Sequence, residues 1–178
     1  MFAVAAGVAP APGVVRFTRL FVSADGHTHL RDCTVQNLTR TPLPGGQSAQ
    51  YVRDLKGALD PTGLIVTQQL GANPWHPCPT SQLVVTLSGG WYINTTDGGY
   101  VEMREGHMLF QDDYRGLEVN GTQPVHYSGT LDGAPCNQLI VSTAGQLAAI
   151  DDQSCDWVHA ARAATGAAGD RAGSTLAL

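Results

Sequence analysis

Charge is scarce in this chain. Asp, Glu, Lys and Arg make up only 14% of its 178 residues, and the ten Lys and Arg residues gather in no cluster. A protein that tracks phosphates needs such a cluster, and the net charge is −5, so a nucleic-acid partner is not expected. Long apolar runs are missing too, and no segment reaches the roughly 20 residues of a membrane span. Cysteine is present four times, at Cys33, Cys78, Cys136 and Cys155, but never as a C-x-x-C pair. That spacing excludes a zinc-finger pattern and a dense disulfide scaffold; four reduced, mostly buried thiols are expected. Three N-x-T sequons, at Asn37, Asn94 and Asn120, point towards a secretory route. The opening M-F-A-V-A-A-G-V-A-P-A-P-G has no basic residue, however, and Pro10 and Pro12 interrupt its apolar run. The sequons therefore read as chance, and the cytoplasm is the expected compartment.

Gly and Pro are plentiful, at 21 and 10 residues, and they punctuate short β-rich runs. Strands are expected over Val15–Val22, His29–Val35, Leu64–Leu70, Gln82–Ser88, Trp91–Asn94, Tyr100–Met103, His107–Gln111, Val125–Ser128 and Asn137–Ser142. Turn pairs such as Asp25-Gly26, Gly89-Gly90, Glu105-Gly106 and Asp132-Gly133 separate them. So many short strands predict one all-β domain, a barrel or sandwich, over residues 14–157. Residues 1–13 read as a loose arm. Residues 158–178, rich in Ala and Gly, read as a disordered tail, with a marginal helix over Trp157–Ala164 as the alternative. Thr41–Gly46 reads as a loop, Gly71–Pro79 as a Pro-rich stretch, and Asp112-Asp113 as a solvated turn.

The stretch Gly71–Gly89 carries the chemistry. His76, Cys78 and Gln82 fall at even offsets, so an extended chain would aim all three at one face. A buried His, thiol and amide need partners, and a metal or ligand would supply them.

These residues resemble the first motif of the cupin superfamily, G-x5-H-x-H-x3,4-E-x6-G. His76, Cys78, Gln82 and Gly89 stand in register, although Cys78 replaces a His, Gln82 replaces a Glu, and Gly71 is one residue too near. Of the second motif, G-x5-P-x-G-x2-H-x3-N, Gly98 and Gly106 are in register, while Arg104 and Leu109 replace the Pro and the His. A subgroup of small cupins is closer still. Its opening, like D-G-x-S-H, compares with D-G-H-T-H at Asp25–His29, and its W-H-P-A-P-R-R-Q compares with W-H-P-C-P-T-S-Q at Trp75–Gln82. That subgroup's late histidine corresponds to His126, ten residues before Cys136.

What the resemblance implies is a jelly-roll β-barrel of the RmlC-like kind, covering roughly Val15–Ser142, whose interior holds a divalent metal such as Fe, Mn, Zn, Ni or Cu. His76, Gln82 and His126 would be its ligands, with Cys78 a soft fourth; a neutral Gln is a weak ligand. A small organic molecule would be the substrate or ligand, and pairing through outer strands would give a homodimer. A metal-dependent enzyme is the first reading. The alternative is a non-catalytic ligand-binding or structural cupin that has lost its metal. Trp75, Trp91 and Tyr92 are candidates for a pocket wall or for core. His27 and His29 read as hydrogen-bonded or exposed residues beside an early turn, and His107 as a turn residue.

Overall fold

The computed structural model describes residues 11–46, 48–55, 59, 61–143 and 155. Among them the chain is all-β. β1 (Arg16–Val22) and β2 (Thr28–Thr34) form a hairpin closed at Asp25-Gly26, and β3 (Thr39–Pro42) pairs with β4 (Ala49–Val52) as a separate ribbon. Then follow β5 (Pro61–Gln69), β6 (Ala72–His76), β7 (Gln82–Ser88), β8 (Gly90–Thr95), β9 (Tyr100–Arg104), β10 (Met108–Gln111), β11 (His126–Thr130) and β12 (Cys136–Thr143).

A six-stranded sheet runs β2-β1-β10-β7-β12-β5, and a four-stranded sheet runs β6-β11-β8-β9. Every pairing is antiparallel except β1 with β10. The main core lies between the sheets. Leu20, Val84, Leu109 and Cys136 from the larger sheet meet Trp91, Ile93 and Met103 from the smaller one. Alternation produces this: Gln82, Val84 and Thr86 point inward on β7, and Trp91, Ile93 and Thr95 on β8. Between those strands Gly89 holds φ at 78°, and a Cβ there would sit 2.6 Å from the Pro135 carbonyl oxygen, so only glycine suits the turn. A second small core, Phe17, Cys33, Leu59 and Phe110, packs apart from the first.

The expected strands all form, but the expected closed barrel does not: the described residues make two facing sheets and a ribbon. β3 runs into the expected Thr41–Gly46 loop, and β4 lies where no strand was expected. Their side chains are nearly all exposed, so they carry no alternating apolar signal to read. β6 occupies part of the Pro-rich stretch, and Pro74 is tolerated there because β6 is an edge strand. The cysteine expectation is corrected for one pair. Cys33 and Cys155, 122 residues apart, form a disulfide with a Cα–Cα distance of 5.4 Å. Cys78 and Cys136 are free and buried, as expected. The arm, apart from residues 11–13, and the tail with its alternative helix lie outside the described residues.

Candidate functional site

β6 and β11 pair so that His76 stands opposite His126, with an irregular register between His126 and Ser128. Such bulges redirect side chains, and here the two imidazoles pack with ring centroids 4.3 Å apart. His126 is 2% exposed and points between the sheets, whereas His76 is half-buried at the edge.

Four buried side chains continue inward from His76. Gln82 Nε2 donates to Gln111 Oε1 at 2.7 Å, and Gln111 Nε2 lies 3.2 Å from His126 Nε2. His126 Nδ1 is 2.6 Å from Asp113 Oδ2. The amide that donates to His126 Nε2 and the carboxylate that accepts from Nδ1 together select one tautomer, with the proton on Nδ1. This is a directed hydrogen-bond chain: Gln82 to Gln111 to His126 to Asp113.

Cys78 joins it from the other side. Its N–H donates to the Asp113 carbonyl at 3.1 Å, and its own carbonyl accepts from Arg115 at 2.7 Å. Burial first, and then the adjacent Asp113 charge, push the Cys78 thiol well above its ordinary range.

The proposed even-offset face does not form. The extended run breaks after His76, and β7 begins at Gln82 in the other sheet. Pro77 and Pro79 remove two ladder donors within that interval, which lets the chain cross between sheets instead of continuing one strand. The site still assembles, because both strand ends arrive beside β10 and β11.

Asp112 and Asp113 correct a second expectation. Neither is a solvated turn residue; both are fully buried. Asp112 is held by Arg19, with Nε and Nη2 each 3.0 Å from Oδ2, and its N–H donates to the Leu20 carbonyl. Gln111, Asp112 and Asp113 are the site residues that sequence reading missed. Their one legible hint is position, directly after an apolar strand.

As arranged, the candidate donors are engaged within the protein. Both nitrogens of His126 have protein partners, and so do those of His76: Nδ1 lies 2.7 Å from the Pro74 carbonyl and Nε2 lies 2.8 Å from Asn73 Nδ2. Gln82 spends its amide on Gln111. Among the described residues no group of three or more His, Cys, Asp or Glu is placed to hold a metal. His76 is held below its usual range by burial and by His126 beside it, which keeps its imidazole neutral.

The remaining candidates separate cleanly. Trp91 is core, 3% exposed, with its indole N–H on Thr86 Oγ1; Trp75 is on the surface. His29 bridges two turns, its Nδ1 2.7 Å from Asp97 Oδ2 and its Nε2 2.7 Å from Ser23 Oγ. His27 reaches Thr96 Oγ1 at 3.2 Å, and His107 is exposed in its turn. Because Ser23 also hydrogen-bonds Asp25 and the His27 carbonyl, this cluster is a clasp between the β1–β2 and β8–β9 turns. A broad cavity of about 910 Å³ lies elsewhere, walled by the Cys33–Cys155 disulfide, Phe17, Glu105, His107 and Met108.

No family model matches the chain, and no curated protein matches it. Among solved structures, protein NMB1881 from Neisseria meningitidis is similar at 17% identity with a TM-score of 0.34, over 46% of this chain and 72% of that one. That likeness is too slight to bear on fold or function.

Proposed function

We propose that the chain is a cupin-type jelly-roll protein that holds a small hydrogen-bonding organic molecule beside His76, without a metal. The strand order supports the fold. Numbered from β5, one sheet contains the first, eighth, third and sixth strands, and the other contains the second, seventh, fourth and fifth. Two Greek keys give that order.

One observation carries the metal-free reading: the chain from Gln82 to Asp113 already engages both nitrogens of His126. His76 lies outside that chain, half-buried against the His126 ring, so a ligand replacing Asn73 at Nε2 would meet a neutral imidazole packed on an oriented one. The metal-dependent enzyme has a single observation in its favour, the 4.3 Å approach of the two imidazoles. Elemental analysis after expression in medium supplemented with Fe, Mn, Zn, Ni and Cu separates the two. Essentially no bound metal is expected. About one metal per chain, lost in a His76→Ala, His126→Ala variant, would contradict the proposal.

A homodimer through β5 belongs to the same reading. β5 is the edge of the larger sheet, contains no charged residue, and exposes Leu64 and Val66 at 72% and 75%. A long uncharged edge with apolar side chains is suited to strand pairing. The Cys33–Cys155 disulfide, together with the three sequons, favours an oxidising compartment over the cytoplasm. No helix among the described residues is long and apolar enough to cross a membrane.

A further inference from the structure

The outer face of the four-stranded sheet carries a strip of aromatic rings that the site above does not use. Trp75 on β6 meets Tyr127 on β11 with centroids 5.9 Å apart. Tyr127 meets Tyr92 on β8 at 6.3 Å with ring planes 22° apart, and Tyr92 meets Tyr100 on β9 at 5.7 Å and 32°. The strip therefore crosses all four strands, a reach of about 14 Å at the usual interstrand spacing of about 4.8 Å. Its two ends are the most open, with Trp75 52% and Tyr100 54% exposed.

The backbone is adapted to this strip. Gly129 lies opposite Tyr92, and a Cβ there would come within 2.6 Å of the Tyr92 hydroxyl oxygen and 2.7 Å of Cζ. A side chain at 129 would lift the ring; glycine lets it lie across β11. Polar groups are set among the rings. Asn94 stands in register between Tyr127 and Tyr100, and Glu102 stands opposite Tyr92. Glu102 accepts from Arg104 at 2.6 Å and from the Tyr100 hydroxyl at 3.3 Å.

We infer that this face binds an uncharged polysaccharide chain. A pyranose ring presents C–H groups on its faces, which suit aromatic π surfaces, and hydroxyls at its rim, which suit amides, phenols and carboxylates. The strip offers both kinds of group in alternation. Charge supports the choice: the Glu102 carboxylate is offset by Arg104, so the platform is close to neutral, and the chain's net charge of −5 disfavours a nucleic-acid strand that would also stack on aromatic rings. A second copy is better served by β5, on the other sheet and aliphatic.

The test uses the full chain made in a bacterial host, so that the sequon at Asn94 carries no glycan. Retention is measured on microcrystalline cellulose and chitin, with affinity electrophoresis in soluble β-glucan and xylan, and Trp fluorescence is followed during titration with cello- and chito-oligosaccharides. Binding to at least one of these glycans is expected, with Trp75→Ala and Tyr100→Ala each weakening it about tenfold, or about 1.4 kcal/mol. Both side chains are exposed, so neither change should unfold the sheet, and circular dichroism checks this. Retention on none of the glycans would overturn the inference. So would retention that survives the double variant, or a dimer that dissociates when Trp75 and Tyr100 are replaced.

Discussion

Arg19 and Asp112 form an ion pair whose side chains are 4% and 0% exposed. Removing one partner of such a pair leaves an uncompensated charge in a poorly solvated place. Arg19→Ala is therefore expected to cost about 3–5 kcal/mol of stability, read as a lowered urea midpoint. Adding Asp112→Asn should recover part of the loss. His76 supplies a pH dependence. Its folded pKa is lowered from the ordinary 6.5, so the unfolded chain takes up the proton first as pH falls. Stability is thus fully present above about pH 6.5 and declines as pH drops through the folded value. Urea midpoints measured from pH 7.5 to 5 should fall, and His76→Gln should flatten that part of the profile. At this scale the sequence was half legible. His76 and Gln82 stood out because a buried His and amide demand partners, and His126 through the family resemblance alone. Asp113 did not, because a carboxylate after a strand looks the same in sequence whether it faces water or an imidazole.

At the scale of elements, alternation made most strands readable. β7 and β8 announce themselves through inward Val84, Trp91 and Ile93 against polar or half-exposed neighbours. β3, β4 and β6 were hidden because exposed ribbons and edges have no buried face to pattern them. Proline also misled the reading of Gly71–Pro79. Pro77 and Pro79 do end the run, yet Pro74 sits inside β6, where an edge needs no donor on its open side. β5 gives the testable consequence. Its apolar, uncharged edge is expected to pair with a second β5, so sedimentation should show a dimer for the native sequence. A Leu64→Lys, Val66→Lys variant should sediment as a monomer with its fold intact; an unchanged dimer would remove β5 from the account.

Across the whole molecule, the disulfide is the feature that no local pattern could show. It joins β2 to residue 155 over 122 residues, and only the folded arrangement brings the two sulfurs together. In the chain-entropy description a loop of that size constrains the unfolded state by about 4–5 kcal/mol. Cys33→Ser should lower the unfolding free energy by up to that amount. Thiol counting should find two free cysteines in the native protein and three in the variant, since Cys78 and Cys136 are unpaired. The same chain connectivity builds the site, since β6, β7, β10 and β11 come from distant parts of the sequence to place His76, Gln82, Gln111 and His126 together. The central proposal is that protein groups, and not a metal, engage both nitrogens of His126. Long-range ¹H–¹⁵N correlation of the histidine side chains tests it most directly, recorded before and after one equivalent of Zn²⁺. The account predicts a His126 signal of the tautomer protonated at Nδ1, unmoved by zinc. A His126 Nε2 resonance that shifts to a metal-bound position on adding zinc would contradict it.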